Sequence, residues 1–291
     1  METKWYAIIA VIMLFIAGGG GYYYWSTTQQ KSEEKKELYV EPGDKVVVDY
    51  IGRFEDLSVF DTSMYSVAID NVSYPKSPAF NMRQAGDYVP LKVKVGTAAE
   101  GDYITVIEGF REALIGMKVG ERRTAIIPPE KGYGFKDPNL VVEKSLIESI
   151  PMKYIMNTSK FTDIYGKSPL DGLVVRDPYW GWNLTVFTTY GDIVIFHYTP
   201  GVGEILTPFG WEIKVLSVDS TANNGAGEIK IQHMIKPSQV NRIHAKDFEH
   251  RDFYLIGLNM EKGTFTIDYN EQVKGNTLVF NITVLNITKS S

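Results

Sequence analysis

Hydrophobic and polar positions divide the chain into stretches of different period. Between Lys4 and Lys31 no charged side chain occurs, and an apolar run from Ala7 to Ala17 continues through Gly18, Gly19, Gly20 and Gly21. Trp5 and Tyr6 precede it; Tyr22, Tyr23, Tyr24 and Trp25 follow it. A helix of about 20 residues crosses a bilayer, and Trp and Tyr collect at its two interfaces. The pattern therefore predicts a transmembrane helix within residues 1–30, in contact with the lipid bilayer through residues 5–25, and then a charged tether over 31–38. The competing reading is a cleaved signal peptide, which has a shorter apolar region and a small-residue cleavage site. The glycines are not a phosphate loop, because no Lys-Ser/Thr pair follows them.

Beyond the tether the period becomes two. Residues 45–54 alternate with Val46, Val48 and Tyr50 on one face, and residues 90–96 alternate through Leu91, Val93 and Val95, so both read as strands. Phe110, Ala113, Leu114 and Met117 fall at i, i+3, i+4 and i+7, predicting a short helix over 108–117 closed by Gly116 and Gly120. Residues 122–127 form a strand stopped by Pro128 and Pro129, and 277–284 another, with Leu278, Phe280, Ile282 and Val284 inward and Asn281 outward. In between, runs at 184–190 and 193–198 flank Gly191-Asp192 as a hairpin. Runs at 211–218 and 228–235, and at 253–258 and 263–269, pair in the same way. Residues 144–156 read as a short helix broken by Pro151.

Composition narrows the class. With 44% hydrophobic and 22% charged residues the chain of 291 is globular rather than disordered. Thirty basic against 35 acidic residues give a net charge of -5 without a basic stripe, so no nucleic-acid partner is expected. The absence of cysteine removes disulfides, thiolate metal sites and cysteine nucleophiles. His244 and His250 with Asp247 and Glu249 lack a helical i, i+4 histidine pair and read as a solvated stretch; no metal and no cofactor is expected. Topology pulls two ways. Lys31, Lys35 and Lys36 mildly favour a cytoplasmic body, whereas N-x-S/T triplets at Asn71, Asn157, Asn183, Asn281 and Asn286 favour an exported one. A single N-terminal span on such a chain points to an extracytoplasmic body.

Three blocks carry a resemblance: VVVDYIGRFEDLSVFDTS (46–63), VIEGFREALIGMKVGERRTAIIPPEKGYG (106–134) and KGNTLVFNITVLNI (274–287). Together they resemble the FKBP-type peptidyl-prolyl cis/trans isomerases, over residues 39–140 plus 268–288. The resemblance implies an α+β fold, a twisted antiparallel FKBP-like sheet around one short helix. By similarity Tyr50, Phe60 and Phe280 line a proline bowl with Phe110 as its floor, where many relatives carry tryptophan. Val106 and Ile107 form the rim, and the Ile107 N–H binds a substrate carbonyl. Tyr133 donates from its hydroxyl, and Asp61 polarises the bowl while bonded to Tyr50. Leu91 stands where relatives often have phenylalanine, which puts tight macrolide-drug binding in doubt.

Residues 141–267 exceed what that fold needs. SlyD-like members carry a smaller inserted domain at this place that binds unfolded chains, so a mostly β inserted domain with client-binding function is implied. Within it, adjacent aromatics of a strand face opposite ways, so Tyr179-Trp180-Gly181-Trp182 is expected to leave an apolar surface exposed, with Trp180 and Trp182 as substrate-binding residues. The reading is an isomerase and folding helper acting on unfolded or proline-containing polypeptides of the exported or membrane-proximal kind. The rivals are a binding or assembly module on the same fold and, from the anchor and insert alone, a receptor for a small ligand.

Overall fold

A computed structural model describes residues 37–290. The membrane helix and most of the tether expected from the sequence lie outside the described residues. Among the described residues no helix is long and apolar enough to cross a membrane.

The first half of the body consists of β1 (Lys45–Arg53), β2 (Val59–Thr62), α1 (Tyr65–Ile69), β3 (Leu91–Lys94), α2 (Glu108–Leu114) and β4 (Arg122–Ile127). The inserted segment holds β5 (Val141–Ser145), β6 (Ile147–Pro151), β7 (Lys153–Asn157), α3 (Thr158–Tyr165), β8 (Val174–Arg176), β9 (Asn183–Tyr190), β10 (Ile193–Tyr198), β11 (Ile205–Leu206), β12 (Ile213–Asp219), β13 (Glu228–His233), β14 (His244–Lys246), β15 (Asp252–Asn259) and β16 (Thr264–Asp268). The chain then closes the first sheet with β17 (Leu278–Thr288).

That sheet has the order β2-β1-β17-β4, and β3 pairs with the part of β1 that β2 leaves open. Every named ladder in it is antiparallel. Alternation along β1 and β17 sends Val46, Val48, Leu278, Ile282 and Val284 inward, where Leu114 and Met117 cover them. The helix stops at Leu114, earlier than its apolar spacing suggests, although Met117 remains fully buried. The spacing persists because Met117 follows a turn that Gly116 closes at φ +77. The expectation of one short helix is also incomplete. The five-residue α1 and the segment after it cover Ile51, Val59 and Val67 as a second small core.

The insert is three four-stranded antiparallel sheets, β7-β10-β9-β8, β11-β12-β13-β6 and β14-β15-β16-β5. The helix expected over 144–156 is absent. Residues 141–157 are three edge strands joined by the single residues Leu146 and Met152. Each of those two residues gives its N–H to one sheet's hairpin turn and its C=O to the end of another sheet's third strand. Backbone bonds thus fix the chain as it steps between sheets, and Pro151 sits at a strand end where a missing N–H costs no ladder bond.

The three units repeat one another bond for bond. Leu146, Met152 and Thr158, six residues apart, donate to Gly263, Gly227 and Asp192. Gly172, Gly203 and Asn241 donate to Val186, Val215 and Leu255, and all three take positive φ. A register irregularity then follows in each central hairpin, leaving Phe187, Leu216 and Ile256 without a cross-strand partner in the ladder. Gly181, Gly210 and His250 share a further left-handed position in the turn after each first strand. Inward residues of all three sheets form one core around Trp182, Phe196, Tyr198, Trp211, Phe253 and Phe265.

The exposed Trp180–Trp182 surface expected from strand alternation is therefore not found. Residues 177–182 form a turn with Gly181 at φ +75, so that adjacent Tyr179 and Trp180, and Trp182 with them, all pack on one core instead of facing opposite ways. The two indoles stack at 4.7 Å and are 7% and 0% exposed.

Two chain segments connect insert and sheet, and they are clasped together. Asp137 N–H donates to Asn270 Oδ1 at 2.9 Å, and Asn270 Nδ2 returns a bond to the Asp137 carbonyl at 3.0 Å. Lys136 Nζ donates to buried Asp268 at 2.8 Å, and Gly275 N–H to the Gly134 carbonyl. Gln272 accepts from Ala79 N–H, tying the return segment to the loop after α1.

Candidate active site

Four rings gather over the helix-facing side of the first sheet. Phe280, from the middle of β17, is the hub: it lies 5.1 Å from Phe110, 5.5 Å from Phe60 and 6.1 Å from Tyr50. The first two contacts are edge to face, and Tyr50 meets Phe110 at 90°, so the rings pack edge to face rather than stacked. Leu91, Val106 and Ile107 pack half-buried against the same cluster. Gly52 on β1 makes room for this arrangement. A Cβ there would stand 2.6 Å from the Phe60 ring and 3.0 Å from Phe280.

The polar side is built on β1 and β2. Tyr50 donates its hydroxyl to Asp61 at 2.5 Å, and Thr62 N–H donates to the other carboxylate oxygen at 2.8 Å. Arg83 reaches that second oxygen at 3.2 Å, also donates to the Thr62 carbonyl, and lies over the Tyr88 ring. Burial, and then the Asp61 charge, push the Tyr50 hydroxyl well above the ordinary tyrosine range. Tyr133 is raised by burial and then by Asp61, which places its phenol within electrostatic reach of the same carboxylate. Both hydroxyls are thus neutral donors at neutral pH.

Ile107 is the N-cap of α2. Its carbonyl accepts from Arg111 N–H, while its own N–H has no acceptor among the described residues. It is an open donor at a helix start, where backbone N–H groups lack intrahelical partners.

The structure thus brings Tyr50, Phe60, Asp61, Phe110 and Phe280 together, with Leu91, Val106 and Ile107 at the edge and Tyr133 in electrostatic reach. Trp180 and Trp182 belong to the separate core of the insert. Two participants carried no signal in the sequence. Arg83 lies in an aperiodic loop 22 residues from its partner, and Phe54, at 5.0 Å from Phe60, backs the bowl from the end of β1. Among the described residues no cluster of His, Asp and Glu is arranged to hold a metal ion.

Residues 36–147 match the family model described as FKBP-type peptidyl-prolyl cis-trans isomerase. The chain is 43% identical over 105 residues to the short-type peptidyl-prolyl cis-trans isomerase of Methanocaldococcus jannaschii, covering 36% of this chain and 57% of that protein. It is 32% identical over 98 residues to peptidyl-prolyl cis-trans isomerase FKBP15-1 of Arabidopsis thaliana, covering 34% of this chain and 46% of the relative. FK506-binding protein 2 of Yarrowia lipolytica is 31% identical over 100 residues, 34% of this chain and 51% of that protein. The chain spans about half the length of the curated relatives it matches.

Proposed function

We propose, from the match of residues 36–147 to the FKBP-type peptidyl-prolyl cis-trans isomerase family model, that this protein accelerates X–Pro isomerisation in polypeptides. The bond resists rotation through its partial double-bond character, with a barrier of about 18–20 kcal/mol and an unaided time of tens of seconds. No nucleophile is needed. A site that binds the twisted amide better than the planar one by about 5.5 kcal/mol gains roughly 10⁴ in rate. The proline ring sits among Phe60, Phe110 and Phe280, the Ile107 N–H takes a substrate carbonyl, and Tyr133 donates to the twisting amide. Asp61, held by Tyr50 and Arg83, stands beside the bowl.

The observation that carries this reading is the ring cluster joined to the Tyr50–Asp61 bond, an apolar group of rings beside one fixed carboxylate. The test is the rate of cis-to-trans conversion of a proline peptide with the full chain; no acceleration leaves a binding module instead. We further propose that residues 5–25 anchor the protein in a bilayer and that the body acts on exported or membrane-proximal polypeptides. The charge-free aromatic-flanked run and the five N-x-S/T triplets support this. Protease accessibility in intact cells checks the side on which the body lies. The inserted domain is proposed to hold polypeptide segments near the bowl, supported by its clasped connection to the first sheet.

A further inference from the structure

The insert carries an open cavity of about 510 Å³ whose walls come from all three repeated units and contain none of the bowl residues. Tyr154, Tyr179, Trp180, Phe209 and Phe248 supply its aromatic surface. A cavity of this size that combines aromatic walls with several polar groups is of ligand-binding kind.

Its charges are already matched. Glu148 accepts from Lys144 at 3.0 Å and faces His233 Nε2 at 3.1 Å. His233 Nδ1 accepts from the Trp211 indole at 3.0 Å, so Nε2 carries the proton and donates to Glu148. These two bonds hold the Glu148 carboxyl below its usual range despite its burial. Asp247 accepts from Arg251 and from Tyr269, and Arg251 also meets Glu249 at 3.2 Å. Several donors remain open, the Tyr154 hydroxyl among them, which has no hydrogen bond among the described residues. The Trp180 Nε1–H is buried without a partner, and the Tyr179 hydroxyl has no hydrogen bond among the described residues.

The chain itself shows what fits. Phe248 places its ring 5.9 Å from Tyr154 and 5.6 Å from Tyr179, edge to face with the latter. It comes from an exposed turn and is itself 38% exposed.

We propose that this cavity is a docking site for an aromatic side chain of a bound polypeptide, which enters beside or in place of Phe248. The proposal rests on the reading that the protein acts on polypeptides. A sugar ring requires several open donors and acceptors, and here the carboxylates are taken. A cationic side chain requires an unmatched carboxylate, and here each one has a basic or hydroxyl partner. An uncharged flat ring packs edge to face against the aromatic walls, as Phe248 does against Tyr179, and needs no unmatched charge.

The test is titration calorimetry of the full chain with the capped pentapeptide Gly-Gly-Phe-Gly-Gly, against Leu- and Lys-centred counterparts and methyl glucoside. The Phe peptide is expected to bind at least several-fold more tightly than the others. Tyr179→Ala is expected to weaken it about tenfold, as the loss of one ring contact and its buried area implies. Phe248→Ala is expected to strengthen it, because the resident ring no longer competes. A merely structural role would move both variants in the same direction. The proposal is overturned if the Phe peptide fails to bind, if the Leu, Lys or sugar probe binds as well, or if both variants weaken binding alike. Proline-peptide turnover of the same wild-type preparation separates the two readings: turnover without Phe-peptide binding rejects this site alone.

Discussion

The Tyr50 hydroxyl donates to one oxygen of Asp61 at 2.5 Å, and Arg83 reaches the other at 3.2 Å. The carboxylate is therefore fixed from both sides, by a core strand and by a loop. Its guanidinium also bonds the Thr62 carbonyl, so Arg83 locks the loop onto β2. Arg83→Ala is expected to lower kcat/KM on a proline peptide by about tenfold through loss of positioning. Arg83→Lys is expected to recover only part of it, since an ammonium lacks the planar fork that serves two acceptors. Equal activity in all three proteins would show that the carboxylate needs no second support.

The pH dependence follows from the two phenols. Tyr50 and Tyr133 are both raised, first by burial and then by Asp61. A phenol donates only while protonated, and a raised value extends that range upward from the ordinary value of about 10. Turnover is thus expected to stay level between about pH 6 and 9. A fall in kcat within that window, removed by Tyr133→Phe, would contradict the assignment.

Gly52 is the place where the sheet yields space to the bowl. A methyl group there meets Phe60 at 2.6 Å and Phe280 at 3.0 Å, so both rings must retreat. Gly52→Ala is expected to cost about 1–3 kcal/mol by overpacking, and to reduce turnover because the proline walls shift. Gly86→Ala, with nothing within 4 Å of the added atom, is the control and is expected to change neither. Thermal melting and a peptide assay on the two variants check both halves.

The neck titrates. Burial opposes ionisation of Asp268, but bonds from Lys136 and Asn270 win and hold its carboxyl below the ordinary aspartate value. A folded value below the unfolded one gives stability that is present above the unfolded value, about 3.9, and lost as pH falls through the folded value. Asp268→Asn is expected to cost about 2 kcal/mol at neutral pH, with the difference from wild type shrinking in acid. Melting temperatures of the pair at pH 7 and at about pH 2.5 measure it.

Period-two alternation made β1, β3, β4 and β17 legible, because each buries one face on a single core and leaves the other half-exposed. The hairpins β9–β10, β12–β13 and β15–β16 were legible for the same reason, with Gly-rich turns between them. The run 144–156 misled, since three short strands that each serve a different sheet leave no sustained period. Trp180 and Trp182 misled because the alternation rule assumes extended backbone, whereas residues 177–182 are a turn that sends adjacent Tyr179 and Trp180 to the same core. The threefold repeat was hidden because its identity resides in backbone bonds and left-handed positions. Gly181, Gly210 and His250 fill one such position with two residue types. Arg83 was hidden because an ion pair across an aperiodic loop leaves no pattern.

The repeat itself yields a ranking of two aspartates. Asp177 and Asp247 occupy matching turns: each caps the following backbone N–H groups and accepts the hydroxyl of the tyrosine that ends its unit's last strand, Tyr198 or Tyr269. Their surroundings differ. Asp177 is 2% exposed, also accepts from Tyr165, and serves the fully buried Tyr198. Asp247 lies nearer solvent and shares its charge with the exposed Arg251. Removing a buried acceptor strands its donors, at about 1–3 kcal/mol each, whereas donors near water are re-satisfied. Asp177→Ala is therefore expected to destabilise the insert by at least about 3 kcal/mol and Asp247→Ala by about 1 kcal/mol. Denaturant unfolding followed by tryptophan fluorescence separates the insert from the first sheet, because Trp180, Trp182 and Trp211 lie in the insert, the other two, Trp5 and Trp25, lie in the N-terminal segment, and the first sheet with its helices contains none. Equal losses in the two variants would mean that the repeat's geometry, and not burial, sets the strength of this contact.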